Sequence, residues 1–235
     1  MGAAIPHLVL LGDSTLDNRF YVGKGNPSII DQLKLKTKER GWNATSVAVD
    51  GHSISHISTQ LTRIPQDATH LFISIVLGGN DALSYMQRLQ ESVQNVGEAL
   101  ILLSEFRKEF EKDYIEMLKH VSECKIPTTI CTMYKPNFDN PQQQLMCETG
   151  LLVLNDVIVT ESTKLGIPII DLKSIFNDPK DYANHIEPDV QGGSKIVENI
   201  LYVMSHHRFD ENICSIYAKG IKLTMNSAYD QTTIL

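Results

Sequence analysis

The chain has 235 residues, of which 42% are hydrophobic and 21% charged, with 14 Gly and 9 Pro. That length suits one large domain, and the balance excludes a disordered tail, a collagen-like fibre and a coiled coil. Lys and Arg number 21 against 28 Asp and Glu, a net charge of −7, which argues against a broad phosphate-binding face and against nucleic acid as a partner.

Short apolar runs alternate with longer amphipathic stretches, the pattern of βαβ units and a parallel sheet. The first run, His7 to Leu11, ends at Gly12. A helix follows from Pro27 and Ser28 and stops before Gly41, since Pro suits a helix start and Gly its end. Ser46 to Val49 reads as the second strand, leading to Gly51. The third, His70 to Leu77, is the strongest strand signal, being apolar and β-branched, and it ends at Gly78 and Gly79. From Asp81 to His120 the pattern is helical, with a break expected near Gly97. Its stripe of Ile101, Leu102, Phe106, Phe110, Tyr114, Met117 and Leu118 reads as core.

Pro127 to Thr132 is a fourth strand, Gln142 to Leu165 a helix, and Ile167 to Asp171 a fifth strand. Gly192 and Gly193 open a last helix that runs to about His206. The expected architecture is a three-layer α/β/α sandwich around a five-stranded parallel sheet. Residues 1–207 form the domain, and 208–235 a C-terminal extension that wraps it or adds an edge strand. Cys124, Cys131, Cys147 and Cys214 are too few for a disulfide framework and form no C-x-x-C pair. The first residues carry neither a basic segment nor an apolar run long enough for a signal peptide or membrane span, so a cytoplasmic protein is expected.

In an open parallel sheet, ligands bind beyond the carboxyl ends of the strands. The loop after strand one carries Gly12, Asp13, Ser14, Thr15, Leu16, Asp17 and Asn18, and that after strand two carries Asp50, Gly51, His52 and Ser53. The loop after strand three carries Gly78, Gly79, Asn80 and Asp81, and the loop beyond strand five runs from Asp181 to Pro188. Acyl transfer needs such residue types: a serine, a base to take its proton and fixed donors for the oxyanion. Ser14 is the candidate nucleophile. The backbone N–H of Ser14, the backbone N–H of Gly51 and the amide of Asn80 are the candidate oxyanion donors. A glycine at position 51 permits close approach of the carbonyl. Asp13, His52 and Asp81 border the expected substrate. The aspartates, together with Asp17 and Asn18, are also natural partners for loop backbone and helix caps. His52 and His56 are four apart but lack a third ligand at suitable spacing, so neither a metal nor a cofactor is expected.

In these blocks the chain resembles the SGNH, or GDSL, hydrolase superfamily. Gly12-Asp13-Ser14 matches its first block, Gly51 its second, Gly78-x-Asn80-Asp81 its third, and the loop before Gly192 its fifth. The resemblance implies a flavodoxin-like sheet of order 2-1-3-4-5. It also implies a serine esterase or lipase-type activity on a small or medium carboxylic ester, without a metal. The fifth block departs from the family's Asp-x-x-His. With Pro188 aligned to the residue that follows that motif, Glu187 stands where the histidine belongs and Asn184 where the aspartate belongs. His185 lies two residues early, and Asp181 could orient it if the loop bends.

Glu187 has the position and His185 the basicity, because a carboxylate near ~4.3 is a poorer acceptor at neutral pH than an imidazole near ~6.5. Both remain candidates, and His52 stands behind them. A weakly active or non-catalytic ligand-binding relative on the same fold is the alternative reading. Asp13, Asp17, Asp50, Asp81, Asp181, Glu187 and Asp189 outnumber Arg19, Lys24, Lys135 and Lys180 around these loops. Neutral or cationic esters are therefore expected to be preferred over anionic ones.

Overall fold

A computed structural model describes residues 4–75, 88–89 and 91–220. Its centre is a six-stranded, fully parallel sheet of order β2-β1-β3-β4-β5-β6. The strands are β1 (His7–Gly12), β2 (Asn43–Ser46), β3 (His70–Ser74), β4 (Thr128–Cys131), β5 (Ile169–Ile170) and β6 (Ile216–Tyr217). The first five follow the expected order. The sixth comes from the segment after residue 208 and lies parallel to β5, with Ile169 opposite Ile216.

The helices are α1 (Ile29–Lys38), α2 (Ile57–Leu61), α3 (Val96–Glu123), α4 (Pro141–Lys164), α5 (Leu172–Ile175) and α6 (Val190–His206). Side-chain alternation along β1 divides the core. Leu8 and Leu10 face one layer with α1 and α6, while Val9 and Leu11 face the other with α3 and α4. Ile196, Ile200 and Val203 of α6 recur at helical spacing and are buried, which fixes that helix on the first face. No helix of the described residues is long and apolar enough to cross a membrane.

Local chemistry explains most boundaries. Ser28 caps α1 with a reciprocal capping box to Asp31. Asn140 caps α4 through the N–H groups of Gln142 and Gln143, with Pro141 in the first turn. Three expectations need correction. The second strand is Asn43–Ser46 rather than Ser46–Val49, because an edge strand does not need an apolar run. Val47 and Ala48 both donate to the Leu10 carbonyl, a bulge that ends the regular ladder. Gly97 does not break a helix but sits in the first turn of α3, behind the cap residue Asn95. The earlier part of the expected helix, from Asp81, falls largely outside the described residues. Gly192 and Gly193 serve close packing rather than a turn. A Cβ at 192 would fall 2.2 Å from the Asp181 carbonyl oxygen, and one at 193 would fall 2.9 Å from Ile29.

Candidate active site

β1 delivers Ser14 to the carboxyl edge of the sheet through a glycine that nothing else can replace. Gly12 has φ +140°, and a Cβ there would lie 1.8 Å from the Ser74 carbonyl oxygen of β3. The Gly12 peptide groups are clasped by the fully buried Gln60 of α2. The Gly12 N–H donates to Oε1 at 2.8 Å, and Nε2 donates to the Gly12 carbonyl at 2.7 Å. The chain then turns tightly, with the Leu16 and Asp17 N–H groups on the Asp13 carbonyl. Ser14 is half-buried at this turn, and no hydrogen bond to a described residue engages its hydroxyl.

Asp13 is not at the substrate position expected of it. It is buried, and its Oδ1 accepts from the Thr15 N–H at 3.0 Å. Asp17 accepts from the Asp50 N–H at 3.2 Å, and Asp50 accepts from the Tyr21 hydroxyl at 2.8 Å, so the first and second loops are tied together. Gly51 has φ +77° with no atom of a described residue within 4 Å of a notional Cβ. Its glycine requirement is conformational, and its exposed face leaves room for a ligand.

The 182–188 loop is closed at its base by an antiparallel bridge between Tyr182 and Pro188, reinforced by the Ala183 N–H on the Glu187 carbonyl at 2.8 Å. The Asn184 side chain serves its own loop. Its Oδ1 accepts from the Ile186 and Glu187 N–H groups at 2.8 and 2.9 Å, an Asx turn that fixes the backbone carrying Glu187. From β4, Tyr134 donates to the Ile186 carbonyl at 2.8 Å. Asn18, fully buried, joins this loop to the Ser14 loop: its Nδ2 donates to the Pro188 carbonyl at 3.0 Å, and its Oδ1 accepts from the Ile29 N–H at 2.9 Å.

The two candidate bases are separated by their partners. The exposed His185 donates from Nδ1 to the Asn137 carbonyl at 3.0 Å and tilts against Phe138. Asp181 cannot orient it. Asp181 is fully buried, and its oxygens accept from Lys195 at 2.6 Å, Gln191 at 2.8 Å and the Asn177 and Asp178 N–H groups. Glu187 is half-buried, and its charge is felt on both sides of the Ser14 loop. Burial, helped by the carboxylates of Asp13 and Glu187, holds the Tyr134 hydroxyl well above the phenol range. Burial, the hydrogen bond to Asp50 and the Glu187 charge raise Tyr21 in the same way.

His52 is pushed down by burial and then by His56 and Arg63. Its Nδ1 accepts from Gln60 Nε2 at 3.0 Å, so the neutral ring carries its proton on Nε2 and is set as a donor. His52 stacks on His56 at 4.3 Å, and among the described residues no group of three His, Cys, Asp or Glu is placed to hold a metal. Asn80 and Asp81, with Gly78 and Gly79, lie outside the described residues.

Hydrogen bonds thus tie the loop that carries Ser14 to the loop that carries Gly51 and His52 and to the loop that carries Asn184 and Glu187, while the His185 ring is bonded to Asn137. Tyr134 and Gln60 were missed from sequence. Tyr134 carried a signal, an aromatic hydroxyl just past the carboxyl end of β4, in a strand-end loop that was not read. Gln60 carried none, since a glutamine in a polar helix has no mark of burial.

No protein-family model and no curated protein matches the chain. Solved structures do match in fold. A lipase from a goat rumen metagenome superposes with a TM-score of 0.62 at 18% identity, over 87% of this chain and 99% of that one. A member of the lipolytic G-D-S-L family from Veillonella parvula gives 0.60 at 17% identity, over 85% and 98%. An extracellular lipase from Streptomyces rimosus gives 0.56 at 18%, over 83% and 99%. The chain therefore has the α/β fold of the GDSL lipolytic hydrolases.

Proposed function

We propose that the protein hydrolyses small or medium carboxylic esters through an acyl-enzyme on Ser14. The observation that carries this reading is Ser14, half-buried just past the carboxyl end of β1, on a loop locked by Asn18 to the segment bearing Glu187. The fold shared with lipases and esterases supports it. In this reading the Glu187 carboxylate accepts the Ser14 Oγ proton as Oγ bonds to the ester carbon. The carbonyl electron pair moves to oxygen, where the Ser14 and Gly51 N–H groups and the Asn80 amide hold it. Collapse expels the alkoxide, which takes the proton from Glu187. Water then repeats the sequence and frees the acid. Glu187 is favoured over His185 because its charge reaches the groups around Ser14, whereas the His185 ring is tied to Asn137.

The test is hydrolysis of p-nitrophenyl butyrate by the wild type and by Ser14→Ala, Glu187→Gln and His185→Ala. Ser14→Ala abolishes turnover, Glu187→Gln lowers kcat by about 10²-fold or more, and His185→Ala stays within a few-fold. Activity that survives Ser14→Ala overturns the reading, and full activity in both base variants overturns the assignment of the base to this loop. A second reading, a non-catalytic binder, draws on Asp181 being taken by Lys195. Strong labelling of Ser14 by a fluorophosphonate defeats it.

A further inference from the structure

The peptide that leads into the Ser14 turn is held by a side chain rather than by a strand. β2 ends at Ser46, and the bulge that follows places the Val47 and Ala48 N–H groups together on the Leu10 carbonyl. Gly12 therefore lies past the end of the β1–β2 ladder, whose last pair is Leu10 with Ser46. The Gln60 amide of α2 stands in for the missing strand residue: Oε1 accepts from the Gly12 N–H at 2.8 Å, and Nε2 donates to the Gly12 carbonyl at 2.7 Å. That carbonyl also accepts from the Val49 N–H at 3.1 Å, so the clasp joins β1 to the loop that leads to Gly51.

The clasp leaves the amide no choice of orientation. A main-chain N–H can only donate and a carbonyl can only accept, so Oε1 faces the Gly12 N–H and Nε2 the Gly12 carbonyl. The second Nε2 hydrogen then points at His52 Nδ1, 3.0 Å away, and that ring nitrogen has to accept. The neighbouring ring is set in the same way: His56 Nδ1 accepts from the Ser53 N–H at 3.1 Å, and the two rings stack at 4.3 Å. A proton arriving on His52 Nδ1 meets an N–H donor head-on, which disfavours the charged ring. Among the described residues His56 and Arg63 are the charged groups that act on this ring, and after burial both push it toward its neutral form. To accommodate the proton the amide has to leave Nδ1, and it cannot turn over without setting its NH₂ against the Gly12 N–H.

We propose that Gln60 is a positioning residue that couples the Ser14 turn to the proton on His52. The turn keeps its shape while the ring is neutral with its proton on Nε2, and the clasp on Gly12 opens when Nδ1 takes a second proton. Ser14 lies two residues past Gly12, in the turn whose Leu16 and Asp17 N–H groups rest on the Asp13 carbonyl, so the direction of the Gly12 peptide sets where that turn begins. For catalysis the coupling rests on the esterase reading and deepens it: the serine is correctly presented only while His52 is neutral.

Nitrogen-15 NMR of the full chain between about pH 4.5 and 8.5 reads the coupling without any substrate. In the wild type His52 is the Nε2–H tautomer at neutral pH, and the Gly12 and Ser14 amide signals shift as His52 titrates. Gln60→Met, similar in length but without donor or acceptor at its end, gives His52 a mixture of tautomers and frees both amides from its titration. A His52 ring protonated on Nδ1 at neutral pH overturns the proposal. So do wild-type Gly12 and Ser14 amides that ignore the His52 titration, or amides that still follow it in Gln60→Met. If Gln60→Met does not fold, the wild-type Gln60 side-chain NH₂ decides: exchange protection that is lost as His52 is protonated supports the coupling, and protection that is unchanged overturns it. With p-nitrophenyl butyrate at about pH 8, Gln60→Met lowers kcat by about 10-fold or more while KM stays within a few-fold; an unchanged kcat in an active enzyme overturns the positioning role. The NMR coupling without hydrolysis by the wild type upholds the link between His52 and the turn and sinks the esterase reading, whereas hydrolysis without the coupling does the reverse.

Discussion

Asn18→Ala probes the connection on which the candidate site depends. The side chain is fully buried, and both ends are used: Nδ2 on the Pro188 carbonyl at 3.0 Å, Oδ1 under the Ile29 N–H at 2.9 Å. Alanine removes both bonds and leaves two main-chain groups without these partners. One of them is the first N–H of α1, which has no intrahelical acceptor. Each unsatisfied buried group costs about 1–3 kcal/mol, so the expected loss is about 2–5 kcal/mol. Urea unfolding followed by circular dichroism measures it.

The same change frees the 182–188 loop from the Ser14 loop, so butyrate hydrolysis should fall in kcat more than in KM, by about 10-fold or more per folded molecule. Asn18→Asp keeps the acceptor for Ile29 but turns a carboxylate oxygen toward the Pro188 carbonyl. It should keep α1 capped and still lose activity. If Asn18→Ala is destabilised as expected while kcat per folded molecule is unchanged, the residue holds the fold but does not register the two loops.

Lys195→Met leaves Asp181 buried without its cation and should cost about 3–5 kcal/mol in urea unfolding; a loss below about 1 kcal/mol would refute the pairing. Gly12→Ala meets the Ser74 carbonyl and should give insoluble or unfolded protein, so recovery of a soluble variant with wild-type melting temperature refutes the close approach. Burial pushes His70 down to about 4, so between about pH 6.5 and 4 the unfolded chain binds the proton and the folded chain does not. Stability therefore falls as pH drops through that window. Discounted for the ring's partial solvent access, the His70 share is about 1–2 kcal/mol. It should vanish from the pH 7 to pH 4.5 difference in His70→Gln.

The central strands were legible because burial on both faces demands apolar runs, as in Leu8 to Leu11 and Leu71 to Ile73. The second strand was displaced by three residues because Asn43–Ser46 lies at the sheet edge and carries polar residues that no period marks. The glycine-bearing turns that carry Ser14 and Gly51 were legible because each follows the end of a strand. The roles within the 182–188 loop were not, since they depend on main-chain bonds. Asn184 reads as a catalytic residue by spacing, yet its amide oxygen is taken by two N–H groups. Asp181 reads as an orienter four residues before His185, yet Lys195, far along the chain on α6, claims it. Two glycines at the start of α6 read as a turn because a contact with the Asp181 carbonyl leaves no trace in local sequence.

The acidic excess around these loops takes on a more specific meaning once its members are placed. Asp13 and Asp17 hold backbone N–H groups, Asp50 takes the Tyr21 hydroxyl, and Asp181 is neutralised by Lys195. A simple count of acids therefore overstates the field that a substrate meets. The charge that acts on the Tyr134 and Tyr21 phenols is that of Glu187 together with Asp13, Asp17 and Asp50. Both hydroxyls are held protonated, so neither adds a negative charge, and each donates to a fixed acceptor rather than to a ligand. In the esterase reading, an ester held at Ser14 meets the negative potential of these carboxylates. Selection against negatively charged esters then follows from that potential.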